Sequence, residues 1–419
     1  MVTAHPGARR RTPVGLLVVL AGLTAVAPLT IDMYVPGFPK MGESLHTGSS
    51  AIQLTMTAFL LGLVVGQLAI GPLSDGLGRR GLLLGGVAGY VVFSVTCMLA
   101  PSVEVLITAR FLQGVAAAAG MVLARAIISD RARGPEIPRY FAVLSQIMGV
   151  APVAAPVLGG AVLSISTWRA VFGVLCVVGV LLLISVLVKV PESLPRHRRD
   201  HGGLAGTFRA MASLARNRPF LGHGLVLGLS AAALFSYISG SSFVFENIHH
   251  VSAGGYSLIF AVNAIGMALA GGVFSRLSGR FRLNTLLVCA VVVAAAGGLA
   301  QVLSVVAFGE SFAATWITLF VVLAGVGMIF PATMSLGQTI GSTAPGAASA
   351  LMGGLQFACG AVASPLVGVF GEASSLPMAV IMLIALALAG LALAVLVRPG
   401  EGHGEVVPAS GAETTSAPA

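Results

Sequence analysis

Of the chain's 419 residues 57% are hydrophobic and 9% are charged, with a mean hydropathy of +0.98; soluble domains carry about a quarter charged residues, so water is not the main solvent here. A formal charge of +9 would suit a nucleic-acid binder, but the basic residues are sorted between loops and form no aromatic-bearing patch, which excludes that class. Cys97, Cys176, Cys289 and Cys359 all lie inside apolar stretches and the eight histidines are scattered, so no disulfide, metal site or other cofactor is expected.

The apolar residues gather into runs free of Asp, Glu, Lys and Arg, among them 12–31, 81–103, 170–188 and 283–309. Each approaches the roughly 20 residues a spanning helix needs, and none alternates apolar with polar as barrel strands do. In chain order, a basic tail at 1–12 precedes spans expected at 14–39, 48–73, 80–101, 103–126, 138–163 and 168–190. After a polar linker at 191–218 come spans at 219–244, 254–276, 283–306, 311–335, 345–370 and 375–398, then a disordered tail at 399–419. The division between the tenth and eleventh spans rests on the Gly341-Ser-Thr-Ala-Pro345-Gly346 breaker, because 311–371 holds no charge. With both termini cytoplasmic, every Lys and Arg except Lys40, Arg169 and the intramembrane Arg110 falls on the inner side, as the positive-inside rule requires.

The linker separates two six-span halves, 13–190 and 219–398. Gly71-Pro-Leu-Ser-Asp-Gly-Leu-Gly-Arg79 echoes in Gly272-Val-Phe-Ser-Arg-Leu-Ser-Gly-Arg280, in each case after the second span of its half. A repeat in one orientation implies an all-α membrane protein of two parallel bundles related by a pseudo-two-fold axis along the membrane normal. Its binding site is expected at their interface near mid-membrane.

Polar residues inside the spans mark the candidate chemistry. Span 1 holds one acid, Asp32, in Ile31-Asp32-Met33-Tyr34, about 27 Å along the helix from Val14. It reads either as an interfacial acid in contact with water or as a protonatable carboxylate facing a central cavity shared by the bundles. In Gly71-Pro-Leu-Ser-Asp75-Gly-Leu-Gly78-Arg79-Arg80 the glycines permit a tight turn, and Asp75 can hold an arginine or a helix N-terminus. This loop resembles the signature of the major facilitator superfamily, with Gly76 where a basic residue is usual.

Span 4 carries Arg110-Phe-Leu-Gln113-Gly114. An intramembrane arginine costs about 2.5 to 3.5 kcal/mol unless it finds a partner or water, and Arg110 lies at a depth similar to that of Asp32. The segment resembles the Arg-x-x-Gln-Gly of drug-exporting facilitators, which implies a part in proton transfer; bonding to backbone carbonyls is the alternative. Span 5 reads Gly149-Val-Ala-Pro152-Val-Ala-Ala-Pro156-Val-Leu-Gly159-Gly160, a bent, closely packing helix. It is similar to the antiporter motif of exporting facilitators, with Ala155 in place of a glycine. Phe235-Ser-Tyr237-Ile-Ser239-Gly240 and the Ile31–Tyr34 stretch resemble the bicyclomycin-resistance (Bcr/CflA) branch.

The resemblance implies a monomeric, proton-coupled antiporter of the bacterial inner membrane that exports small apolar or zwitterionic drug-like molecules by alternating access. Asp32 and Arg110 would couple the proton. Tyr34, Gln113, Phe235, Tyr237, Asn263, Gln356 and Phe357 are the candidate substrate contacts, each with helix packing as its alternative. No Walker A loop occurs, since Lys40 and Lys189 follow Pro39 and Val188, and no catalytic motif points to an enzyme. The rival readings are a dedicated exporter of a host metabolite, an importer, and a non-transporting membrane sensor.

Overall fold

The computed structural model describes residues 14–131, 136–195, 199, 203–369 and 374–405; the tail expected at 1–12 lies outside them. Among the described residues, twelve helices are long and apolar enough to cross a membrane. Spans 1 to 6 are Val14–Ser44, Ser49–Leu77, Arg79–Met98, Val103–Arg131, Gln146–Ile165 and Trp168–Lys189. Spans 7 to 12 are Arg218–Ile248, Ala253–Leu277, Leu283–Phe308, Phe312–Ile340, Pro345–Val369 and Leu376–Val397. The division between spans 10 and 11 falls at the expected breaker: one helix stops at Ile340 and the next begins at Pro345. Proline suits a first helical turn because its missing N–H has no intrahelical partner there anyway.

Span 1 departs from the continuous helix expected at 14–39. Its main helix stops at Asp32, a 3-10 turn covers Val35–Gly37, and a short helix resumes over Phe38–Ser44. Pro36 supplies no N–H, and its ring would clash with the carbonyl four residues earlier, that of Asp32. The only acid of the span's main helix therefore sits at a helix end.

The packing repeats between the halves. In the first bundle span 2 packs on span 4, span 3 on spans 4 and 6, and span 1 on spans 4, 5 and 6; in the second, span 8 packs on span 10, span 9 on spans 10 and 12, and span 7 on spans 10, 11 and 12. The seams obey the same rule, with span 2 against span 11 and span 5 against span 8. That reciprocity is what a two-fold axis between parallel repeats produces. Outward-facing apolar side chains such as Leu181, Ile184 and Val188 are exposed, as a lipid-facing surface requires.

Two segments differ from the sequence reading. Within the linker, Gly203–Arg216 forms a helix that rests on spans 2, 7 and 11. Its Met211 and Leu214 are buried with Phe220, Leu227 and Met352, because one stripe of an otherwise polar segment is apolar. The tail expected to be disordered from 399 is tied down as far as Glu405, whose Oε1 accepts the Asn284 backbone N–H at 3.0 Å and its Nδ2 at 3.1 Å. The remainder of that tail lies outside the described residues.

Candidate functional site

Among the described residues Arg110 is the largest fully buried side chain. Its guanidinium carbon lies 4.3 Å from the ring centres of both Tyr34 and Phe59, and 5.8 Å from that of Phe172. One Nη donates to Gln113 Oε1 at 2.8 Å, the other to the Thr30 carbonyl at 3.3 Å. Gln113 Nε2 donates in turn to Ser94 Oγ at 2.8 Å, and the Thr30 and Tyr90 hydroxyls meet at 2.6 Å. None of the ion pairs among the described residues involves Arg110. A cation with no counter-carboxylate is thus held by aromatic faces and a carbonyl. Tyr34, whose hydroxyl lies 3.3 Å from Thr55 Oγ1, and Gln113 belong to this cluster inside the first bundle.

Asp32 faces elsewhere. The Thr30 side chain meets Tyr90 of span 3, and two residues of α-helix turn about 200°, so the Asp32 side chain faces away from that contact, just before a turn that packs on spans 7 and 8. It is 3% exposed, and its Oδ1 has no hydrogen-bond partner. The open aqueous cleft expected around it is not what the structure has, because the ends of the bundles remote from the linker are packed shut. There Phe38, Met41 and Tyr34 are fully buried, and the Phe38 and Phe243 rings are 6.1 Å apart. Asn263 Nδ2 donates to Tyr237 Oη at 3.0 Å, and Trp316 Nε1 donates to Asn263 Oδ1 at 3.1 Å. Phe235 and Phe357 form a separate ring pair at 6.3 Å, beside the partly buried Gln356.

At the linker end, Arg79 binds Asp75 at 2.6 Å and Asp130 at 3.2 Å, and also donates to Ser74 Oγ. Glu192 Oε1 accepts the Arg79 backbone N–H at 2.9 Å and Oε2 that of Arg80 at 3.2 Å, so a linker carboxylate caps span 3. Gly78 precedes that helix with φ of 101°. A Cβ there would lie 2.8 Å from Glu192 Oε2, so only glycine admits both the turn and the carboxylate. Arg80 reaches the Leu187 carbonyl at 2.9 Å. Partial burial raises the Glu192 pKa, but the backbone N–H groups of Leu194, Arg79, Arg80 and Ser193 outweigh this and hold it below the usual carboxylate range.

Pro152 and Pro156 lie within the helix Glu136–Ile165, which also carries Gly149. Its Gly159 lies so close to the Met33 carbonyl, and Gly160 to Ser257 Oγ, that a Cβ at either position would overlap them. Span 5 thereby touches span 1 just beyond Asp32 and span 8 across the seam.

A family model described as Major Facilitator Superfamily matches residues 20–364, reaching across both bundles. The chain belongs to the major facilitator superfamily. It is accordingly a multi-pass membrane transporter and not an enzyme. This facilitator is 35% identical over 401 residues to the uncharacterized MFS-type transporter YdgK of Bacillus subtilis (strain 168), covering 95% of this chain and 99% of that one. It is 27% identical over 381 residues to the multidrug resistance protein MdtL of Escherichia coli O157:H7 (strain EC4115 / EHEC), with 90% and 94% covered. A bicyclomycin resistance protein homolog of Haemophilus influenzae is 27% identical over 288 residues, with 69% and 72% covered. The fold is shared with an inward-facing bacterial homolog of the human lysosomal transporter Spinster (TM-score 0.72, 16% identity, 92% of this chain and 97% of that one). It is likewise shared with a POT family transporter in complex with a thioalcohol-conjugated peptide (TM-score 0.74, 12% identity, 93% and 96%).

The candidate residues of this facilitator therefore fall into six places: the Arg110 cluster, Asp32 at the end of the main helix of span 1, the Tyr237–Asn263 pair, the Phe235–Phe357 pair, the span 5 prolines and glycines, and the linker-end loop. Residues that the sequence reading passed over complete them. Glu192 follows the breaker Pro191 just after span 6, and Gln53 and Trp316 are polar or amphipathic side chains inside apolar runs, a signal that was present and unused. Asp130 and Tyr256 carried none, since their roles depend on neighbours far away in the chain.

Proposed function

We propose that this facilitator is a proton-coupled antiporter that exports small apolar or zwitterionic drug-like molecules across the bacterial inner membrane, with its linker end and both termini in the cytoplasm. The observation that carries the reading is Asp32, a carboxyl group shut into the seam with an unpartnered oxygen. An ionised carboxylate is costly there, so the sealed arrangement goes with the protonated acid. Ionisation accompanies the arrival of water or cargo as the bundles part. Arg110 of span 4, bound to the Thr30 carbonyl two residues before Asp32, adds a fixed positive charge that favours release of the proton. Each charge moved is worth about 2.3 kcal/mol per 100 mV of membrane potential, which is enough for one proton to concentrate one neutral molecule about fifty-fold.

The names of the multidrug and bicyclomycin-resistance relatives support the substrate class, as do the aromatic side chains of Phe235, Tyr237 and Phe357 close to the seam. In alternating access the bundles rock about the seams of spans 2 and 11 and of spans 5 and 8, while Gly71, Asp75, Gly78, Arg79 and Arg80 hold the linker end. The test is proton movement in proteoliposomes on addition of bicyclomycin as the first probe, comparing wild type with Asp32→Asn and Arg110→Ala. Coupling is expected to vanish in the first variant and weaken in the second. Export against a gradient at the wild-type rate by Asp32→Asn would sink the assignment.

A further inference from the structure

Span 2 turns one polar stripe toward span 11, against which it packs. Gln53, Thr57 and Gln67 lie within about 80° of one another around the helix, and two of them are committed. Gln53 accepts from the Gly368 N–H and donates to the Ser239 carbonyl, and Thr57 Oγ1 donates to the Ala361 carbonyl at 3.1 Å. Gln67 makes no hydrogen bond among the described residues, although it is only 8% exposed. Its amide occupies the space that Gly353 leaves by lacking a side chain, so closely that a Cβ there would overlap Nε2. An amide has two hydrogens to give and an oxygen to accept with, and leaving them unbonded away from water is costly. The Gln67 amide is thus left for a partner from outside the chain.

Two rings adjoin it along span 11. Positions 353, 357 and 360 fall on one face of that helix, each about a turn from the next. Gly353 receives the Gln67 amide, Phe357 supplies a ring, and Gly360 lies against the Phe235 ring, which a Cβ there would overlap. The Phe235 and Phe357 ring centres are 6.3 Å apart. Phe357 lies about 18 Å along span 11 from its first residue, Pro345, and so near the middle of the membrane. The amide comes from the first bundle and both rings from the second, so the constellation exists only at their seam.

We propose that Gln67, Phe357 and Phe235 form a substrate subsite for a flat apolar ring bearing a neutral amide, with the ring against the two phenyl groups and the amide paired to that of Gln67. The proposal rests on the drug-export reading and narrows its substrate class. Ring-to-ring contact is tolerant of ring shape, whereas a buried amide rejects a ligand that leaves it unbonded. A neutral ligand group fits, because Gln67 carries no charge to offset a buried ion.

Equilibrium dialysis of the full chain in lipid nanodiscs, with empty nanodiscs as the blank, tests this with naphthylacetamide and ethylnaphthalene, which share a ring and differ in the amide. Wild type is expected to bind the amide about tenfold more tightly than the hydrocarbon. Gln67→Leu is expected to abolish that preference. Gly353→Ala keeps the amide but displaces it, and is expected to reduce the preference about threefold or more. Phe357→Ala is expected to weaken both ligands and keep their ratio. A preference that survives Gln67→Leu, or a wild type that shows none, overturns the proposal. Binding is read without a proton gradient, so an intact preference beside absent drug-driven proton movement removes the export reading and leaves the subsite standing.

Discussion

Gln53 and Gly368, in opposite bundles, share a 2.8 Å hydrogen bond from the glycine N–H to the side-chain Oε1. The same amide donates Nε2 to the Ser239 carbonyl at 3.2 Å, so one neutral side chain of span 2 ties spans 7 and 11 shut at the end remote from the linker. Each such bond is worth about 0.5 to 1.5 kcal/mol net. Gln53→Leu is therefore expected to shift the population about tenfold toward opening at that end. Electron-electron distance measurements between labels at Glu43→Cys and Ser252→Cys, on a background freed of the native cysteines, would read the shift. An unchanged distance distribution would show that the clamp does not set the equilibrium.

Glu192 makes a pH-dependent contribution at the linker end. Its folded pKa is depressed below the unfolded value, so its stabilisation is fully present above the unfolded value, near 4.3 to 4.5, and is lost as pH falls through the folded value. Glu192→Gln is expected to lower thermal stability near pH 7 by about 1 kcal/mol, the usual worth of a helix cap. The gap to wild type should close at an acid pH below the depressed folded pKa, where the Glu192 carboxyl is protonated. Melting curves of the detergent-solubilised protein at the two pH values check both the size and the sign.

The span 5 glycines should be far less tolerant than the first glycine of the signature loop. A Cβ at Gly159 would overlap the Met33 carbonyl, which is backbone and cannot move aside, whereas a Cβ at Gly71 would meet only Val122 Cγ1 at 3.9 Å. Gly159→Ala is expected to cost at least about 2 kcal/mol through displaced helices, with loss of transport. Gly71→Ala should cost less than about 0.5 kcal/mol of stability. Parallel measurement of folded yield and drug export ranks the two.

Arg110→Lys should not behave as a conservative change. A planar guanidinium lies between two rings and bonds two separate acceptors at once, geometry that a compact ammonium cannot reproduce. Losing a desolvated cation–π contact costs about 2 kcal/mol, so proton-coupled export is expected to fall at least tenfold although the charge is retained. Export rates of Arg110→Lys close to wild type would mean that charge alone suffices.

The chain's composition alone determined the membrane class, the twelve spans, the same-orientation repeat and the sorting of charge between loops. Each of these depends on residues adjacent in sequence: an apolar run of sufficient length must become a helix in lipid because no water is there to bond its backbone. Gly78 likewise announced the turn before span 3, whereas the break after Asp32 was not expected, although Pro36 carried its signal.

Only the tertiary structure decided which way the polar side chains of those spans face. In a soluble helix the apolar stripe reveals the buried face, but here lipid and core are both apolar, so that contrast is erased. Asp32 and Arg110 therefore read as a pair at similar depth, yet no ion pair joins them among the described residues. The rings that surround Arg110, those of Phe59 and Phe172, come from helices that only folding brings alongside.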